Sequence, residues 1–252
     1  MIIKNIINKR RPFFSIITVV LNQKKISRVF KSLKNQSYKN FEHIVIDGGS
    51  TDGTLNIIKK NIKSIQYFQS KKDKGLYDAM NKGISKSRGR IIGILNSDDY
   101  YYKNCLQIAK KYFSKNKIDF LFGTVIKDRI LSGYWPNKII WKFNIYPSHS
   151  CSFFIKKKVQ VKVGNYNQNF KFSADRDLIY RLIRKNYFGM CTKKNEVFGR
   201  FDITGKSSKI SFLEKLVEET RIRLNNNQNF ITVIFLFIIH LFNKIFNIIK
   251  IK

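Results

Sequence analysis

The ordered pattern of the chain begins with FFSIITVVLN, residues 13–22, where apolar, aromatic and β-branched side chains follow one another without alternation. A run of that kind, just after Pro12, fits a strand buried on both faces of a parallel sheet. In the next segment, KKISRVFKSLKNQ, the residues Ile26, Val29, Phe30 and Leu33 recur at helical spacing and predict a helix with one face on that sheet. FEHIVIDGGSTDGT, residues 41–54, predicts a second strand ending in a turn of glycine, serine and aspartate, after which Leu55, Ile58 and Ile62 start another helix. A short strand over 65–68, a helix over 74–86 and a buried strand over 91–95 continue the alternation. Strand, helix, strand in succession implies parallel strands joined by right-handed crossovers, with ligands bound at the carboxyl ends of the strands. Asp47 and the pair Asp98 and Asp99 fall at such ends, so the sequence places them on one rim.

In the second half, KNCLQIAKKYF is helical in pattern and DFLFGTVI, residues 119–126, reads as one strand. Residues 133–150 form a loop-rich stretch with both tryptophans and two of the three prolines, and CSFFI, residues 151–155, restores order. ADRDLIYRLIRKN carries Leu178, Ile179, Leu182 and Ile183 on one face, with its acids at the N-terminal end, where the helix dipole favours carboxylates. Ser211 and Glu214 stand at capping-box spacing and start a further helix. From 229 to 252 the chain is almost wholly apolar until its last third. Its uninterrupted run, 230–242, is shorter than the roughly 20 residues a spanning helix needs. Two readings fit this tail. One is a membrane-surface helix with its terminal lysines at anionic head groups. The other is a hydrophobic helix docked on the domain, or on a second copy of the chain in a homodimer. There are no internal repeats.

Composition changes this picture in three ways. With 252 residues, 43% of them apolar, the chain can bury a sizeable core. Its 49 Lys and Arg against 16 Asp and Glu give a net charge of +33, which invites an anionic partner. The basic residues are spread along the chain and no nucleic-acid motif accompanies them, so no nucleic-acid partner is expected. Cys105, Cys151 and Cys191 have neither disulfide-framework nor zinc-ligand spacing and read as buried thiols in a reducing compartment. The first twelve residues lack the apolar core of a secretory signal. The expected location is the cytoplasm, peripheral on the inner face of the cytoplasmic membrane.

In so basic a chain, two adjacent carboxylates after an apolar strand suggest a bound cation. Mg²⁺ or Mn²⁺ prefers carboxylate and phosphate oxygens and retains water, so one or two aspartates at a strand end can suffice when a diphosphate completes the shell. The alternative for Asp98 and Asp99 is a solvated turn or helix cap. Four segments in order, VVLN at 19–22, VIDGGSTDGT at 45–54, DKGLYDAMNKGI at 73–84 and LNSDD at 95–99, resemble the inverting family 2 glycosyltransferases of the GT-A fold. A fifth, SADRDLIYRL at 173–182, resembles that family's acidic motif before the acceptor-side helix. The likeness covers about residues 12–207.

The resemblance implies an α/β, Rossmann-like fold, with a mixed, mainly parallel sheet flanked by helices and a C-terminal helical tail. It implies a nucleotide-sugar-binding half over 12–100, an acceptor-binding half of the same domain over 101–208, and the basic, apolar tail over 209–252. Asp98 fills the metal-ligand position with Asp99 in support, and Asn96 stands where an aspartate is commoner. Val20, Leu21 and Asn22 correspond to the strand end that cradles the base. Leu21 takes a place where an aromatic residue is frequent. Asp47 matches the residue that hydrogen-bonds the base, its alternative being a cap on the glycine turn. Asp78 matches a position near the nucleotide, or is a charge on a surface helix.

Asp175 matches the base that takes the acceptor hydroxyl's proton, with Asp177 second and a helix-cap role as the alternative to both. His149 resembles an acceptor-side histidine and equally fits a hydrogen-bonded structural one. Lys206, in TGKSS, corresponds to a loop near the diphosphate or is a solvated lysine. The implied partners are a nucleotide diphosphate sugar, UDP-linked by expectation, and a glycan or lipid-linked acceptor of surface polysaccharide assembly. Two rivals stand beside this reading. A sugar-nucleotide nucleotidyltransferase would show a glycine-rich loop at the first strand, and 13–25 contains no glycine. A non-catalytic basic protein of the membrane surface leaves the ordered acids unexplained.

Overall fold

A computed structural model describes residues 1–4, 11–202 and 211–249; Lys206 and the whole of TGKSS lie outside them. The first half of the chain alternates as its pattern predicts: β2 (Phe14–Val20), α1 (Ile26–Lys34), β3 (Phe41–Asp47), α2 (Thr54–Lys60), β4 (Tyr67–Ser70), α3 (Leu76–Lys86) and β5 (Ile91–Ile94). A short N-terminal strand, β1 (Ile2–Lys4), precedes them and lies antiparallel to β4. The large sheet has eight strands in the order β1-β4-β3-β2-β5-β10-β7-β11, where β7 is Phe120–Phe122, β10 is Phe153–Lys156 and β11 is Gly189–Cys191. Its central strands β4, β3, β2 and β5 are parallel, while β10 runs antiparallel to both its neighbours.

All seven residues of β2 are buried, and they feed two cores in alternation. Phe14, Ile16 and Val20 pack under α1, α2 and α4 (Cys105–Lys115). Ile17 and Val19 pack under α3, α5 (Lys157–Val163) and α6 (Ala174–Arg184). Continuous apolar patterning therefore reflects helices on both faces of the sheet. Two buried polar devices tie the strands. Thr18 Oγ1 and His43 Nε2 lie 3.0 Å apart, and full burial lowers the His43 pKa to about 3. The buried Glu42 carboxylate accepts from Ser15 Oγ (2.6 Å), Arg88 N (2.5 Å) and Arg88 Nε (2.9 Å).

The stretch 119–126, expected as one strand, is two. Gly123 breaks it, so that β7 stays in the large sheet while β8 (Thr124–Ile126) joins a second, four-stranded sheet ordered β6-β12-β8-β9, with β6 at Tyr100–Tyr101, β9 at Ile130–Leu131 and β12 at Val197–Arg200. A Cβ on Gly123 would lie 2.0 Å from the Phe198 ring of β12, so only glycine lets the chain cross from one sheet to the other here.

The tail forms α7 (Phe212–Asn225), opened by the expected Ser211–Glu214 capping box, and α8 (Phe230–Ile249). The side chains of α8 divide: Val233 and Leu236 are buried, whereas Ile231, Ile234, Phe235, Ile238 and Phe242 face outward. Among the described residues no helix is long and apolar enough to cross a membrane.

α3 sits so close to the sheet that a Cβ on Gly83 would meet Ile17 Cγ2 at 2.3 Å. Alanine is the better helix former by about 1 kcal/mol, but overpacking costs about 1–3 kcal/mol. Gly83→Ala should therefore lower stability in urea unfolding; an equal or higher midpoint would show that α3 can lift off β2 without cost.

Candidate active site

β2 and β3 end together, with Val20 opposite Asp47. Beyond them Asn22 adopts a left-handed conformation (φ 50°), donates its amide to Ser50 Oγ (2.8 Å) and accepts from Thr51 N (2.8 Å). Asp47 is fully buried and saturated: it accepts from Gly49 N (3.0 Å), Ser50 N (3.0 Å), Ser50 Oγ (2.5 Å) and Ser70 Oγ (2.7 Å). That is the turn-capping arrangement, and it leaves no lone pair turned outward. Val20 is buried and Leu21 is exposed at the rim. Asp78 accepts from Lys74 N (2.9 Å) and pairs with Lys82 (2.7 Å) one turn along α3, the geometry of a helix-face charge.

β5 lies beside β2 and delivers residues 96–99 to the same rim. Three hydrogen bonds set this turn. Asn96 N donates to Ser150 Oγ (3.0 Å), Ser150 Oγ donates to Asp99 Oδ2 (2.7 Å), and Asp202 N donates to Asp99 Oδ1 (2.9 Å). Ser150 holds a left-handed backbone (φ 50°), a conformation that costs a non-glycine residue about 1 kcal/mol or more. Asp99 is thus committed to the protein. Burial, then the charge of Asp98, pushes its pKa up to about 7.

Asp98 is half-buried, and burial raises its pKa as well. Two residues away, the side-chain oxygen of Asn96 is buried with no hydrogen-bond partner among the described residues. The desolvated carboxylate and, two residues along the chain, the unsatisfied amide oxygen are both hard oxygen donors, the kind that Mg²⁺ or Mn²⁺ takes. Among the described residues no group of three or more acidic, histidine or cysteine side chains could hold a metal unaided.

Two cavities flank the turn. Asp98 lines the larger, of about 1100 Å³, together with residues of α1, β6 and the end of β12. Asn96 and Asp175 line the smaller, of about 400 Å³, with Tyr77, Tyr146, His149 and Arg176. Lys127 and Phe201 belong to both linings. The acids expected to serve one reaction, Asp47, Asp98 and Asp175, do not line a single cavity. Asp47 lines neither cavity, and the other two face adjoining cavities with Lys127 and Phe201 in the shared wall.

In the smaller cavity Tyr77 Oη donates to Asp175 Oδ1 (3.3 Å) at the first turn of α6. The Tyr77 ring stacks on Tyr166 (5.6 Å), whose hydroxyl lies 3.0 Å from His149 Nε2. The His149 ring stacks on Phe153 (5.1 Å). His149 is thus both hydrogen-bonded within the fold and part of the cavity wall. Asp177, the second candidate base, lines neither cavity: it is buried, pairs with Arg181 (2.9 Å) and accepts from Asn226 Nδ2 (3.1 Å) of the tail. Its side chain ties α6 to the end of α7. Tyr77, Tyr146, Ser150 and Arg176 went unnoticed in the sequence. Tyr77 and Arg176 sit inside the motifs DKGLYDAMNKGI and SADRDLIYRL, where the eye goes to the acids; nothing in the sequence around Tyr146 or Ser150 marks them.

A family model described as "Glycosyl transferase family 2" matches residues 15–178. An uncharacterised glycosyltransferase of Mycobacterium tuberculosis is 32% identical over 182 residues, 68% of each chain. A PGL/p-HBAD biosynthesis glycosyltransferase of Mycobacterium bovis is 30% identical over 181 residues, 68% of this chain and 69% of that one. Among solved structures, S. aureus TarS 1-349 in complex with UDP-GlcNAc superposes with a TM-score of 0.65 at 16% identity, covering 90% of this chain and 71% of that one. Against a longer TarS crystal structure the chain spans 40% of the partner's length. The mannosyltransferase PcManGT from Pyrobaculum calidifontis, in complex with GDP-Man and Mn²⁺, gives 0.66 at 14% identity, covering 89% and 67%. At these identities the structures show a shared fold.

Burial lowers the His149 pKa, with the Asp175 charge acting the other way. A folded-state pKa below the unfolded value of about 6.5 means stability that is full above that pH and lost as pH falls below it. In an NMR titration the His149 ring should titrate below the ordinary imidazole value of about 6.5; a midpoint at or above it would contradict its buried setting.

Proposed function

The chain belongs to glycosyltransferase family 2, a transferase family, and we propose that it moves a sugar from a UDP-linked donor to a glycan or lipid-linked glycan acceptor, with inversion at the anomeric carbon. The observation that carries this reading is the turn 96–99, which commits Asp99 to the protein while leaving Asp98 and the unpartnered Asn96 oxygen toward adjoining cavities. Asp98, with Asn96 beside it, is the place for a divalent cation. When bound there, the cation would neutralise charge that develops on the departing diphosphate. TarS with UDP-GlcNAc and PcManGT with Mn²⁺ support the donor class and the metal by likeness of fold.

The remaining work falls to this chain's own residues. The acceptor hydroxyl oxygen attacks the anomeric carbon as the bond from that carbon to the diphosphate oxygen breaks, and the bonding pair leaves with the diphosphate. Asp175, held by Tyr77 and lining the smaller cavity, takes the hydroxyl proton. The aromatic walls offer flat apolar faces to sugar rings and narrow the access of water. Asp47 and residues 20–22 form the rim on which the base would rest. For Asp47 to bond the base, Ser50 or Ser70 must give up its hydrogen bond. The half 12–100 serves mainly the donor and 101–208 mainly the acceptor, with Tyr77 and Asn96 of the first also lining the Asp175 cavity.

The tail supports a location at the membrane surface. Ile231, Ile234, Phe235, Ile238 and Phe242 repeat along one outer face of α8, and Lys244 follows them. Such a face lies flat in a membrane interface with its cations at acidic head groups. It supports a position for the enzyme at the inner face of the cytoplasmic membrane, beside a lipid-linked acceptor of surface polysaccharide assembly. The buried pair Val233 and Leu236 shows that the opposite face already has its partner.

Asp98→Ala should abolish metal-dependent release of UDP from UDP-sugars while leaving the melting temperature within a few degrees of the parent. Asp175→Asn should reduce turnover about 10²–10⁴-fold, the usual span for a lost general base; normal turnover in either variant overturns its assigned role. Ile234→Asp combined with Phe235→Asp should release the chain from vesicles of anionic phospholipid in a sedimentation assay, whereas undiminished pelleting would remove α8 from the membrane.

A further inference from the structure

We propose that the larger cavity, beyond its edge at Asp98, is a binding site for phosphate groups of the acceptor. Nothing in the transfer step described above uses most of this space. It holds about 1100 Å³, more than a typical small-ligand pocket. Its walls bring Lys31 of α1, Lys103, Lys127 and Arg200 together from four separate segments. None of these four forms an ion pair among the described residues, although the protein has acids within the same wall. Of the three acids in that wall, Asp202 pairs with Lys25 (2.9 Å), Asp128 Oδ1 accepts from Arg129 N (3.0 Å), and Asp98 stands at the edge, leaving the wall with more cations than acids. Like charges gathered in a concave wall repel one another and focus a positive potential into the space they enclose. A bound anion relieves that repulsion.

The chemistry of the wall narrows the ligand class. Tyr100 and Tyr102 meet edge to face (5.9 Å) and offer aromatic surface beside the cations, and Lys127 lies over the Phe201 ring (5.8 Å). Cations interleaved with aromatic faces suit an extended ligand that alternates charged phosphates with sugar or other carbon segments. The cavity runs from the outer face of α1 to the wall of Lys127 and Phe201, which it shares with the smaller cavity. An acceptor held there by its phosphates would reach Asp175 across that wall. Identification of the ligand as the acceptor rests on the transferase reading; the anion site itself does not.

The test is isothermal titration calorimetry on the full chain with inorganic pyrophosphate in EDTA, so that no metal at Asp98 contributes. Pyrophosphate should bind the parent chain, and Lys31→Gln/Lys103→Gln/Arg200→Gln should weaken it about tenfold or more, as expected for lost charge-assisted hydrogen bonds. Lys59→Gln/Lys60→Gln/Lys63→Gln, which removes the same charge around α2, should change it less than twofold. In a second arm with Mn²⁺, UDP affinity of the cavity variant should equal that of the parent. Equal effects of the two triple variants would reduce the site to net charge and overturn it. A parallel loss of UDP affinity would assign the cavity to the donor's diphosphate and overturn the acceptor assignment. A parent chain that binds no UDP would sink the transferase reading, while the pyrophosphate comparison would still decide the site.

Discussion

The Ser150 hydroxyl is the hinge of the structure around the acids. It accepts from Asn96 N and donates to Asp99, so one oxygen fixes both ends of the turn between them. Its cost is a left-handed backbone at a residue with a side chain. The gain is a division of labour between adjacent carboxylates. Asp99, with its second oxygen on Asp202 N, becomes a structural anchor joining the large sheet to the end of β12. Asp98 is left half-buried at the cavity edge, and the neighbouring Asn96 oxygen is left without a partner among the described residues. An unsatisfied buried oxygen costs about 1–3 kcal/mol. Such a cost supports the metal-diphosphate reading proposed for this turn.

Much of the fold was legible because its constraint is simple. A sheet covered on both faces needs strands without alternation, and β2, β3 and β5 show it in their composition alone. Helices α1, α3 and α6 carry their apolar residues at helical spacing because only one side meets the sheet. The run 119–126 misled because nothing local tells a strand from two strands that bend at a glycine; the reason for the bend is the Phe198 ring, seventy-five residues away. β1 escaped notice because three residues carry no periodicity.

The site was legible in its acids and opaque in their surroundings. Asp98 and Asp175 stand out in motifs, but which carboxylate is free depends on partners from distant segments: Ser150 and Asp202 occupy Asp99, and Arg181 and Asn226 occupy Asp177. Asp47 shows the same point in reverse, since four donors surround a side chain for which the sequence offers both base binding and a turn cap. The separation of Asp98 from Asp175 by Lys127 and Phe201 could not be foreseen either, because both wall residues belong to segments with no marked pattern. Charge was visible as a total and uninformative as a total. Only the fold gathers into one concave surface four cations that form no ion pair among the described residues, and sets the outward face of α8 apart from the buried one.

The question on which the rest turns is whether Asp98 meets a metal-bound diphosphate. Crystals grown with UDP and Mn²⁺ answer it through anomalous scattering from the manganese. The expected map has a peak in bonding contact with an Asp98 oxygen and a diphosphate oxygen, with Asp99 still on Ser150. A manganese peak elsewhere, or UDP bound with Asp98 turned away from it, would contradict the role given to the turn.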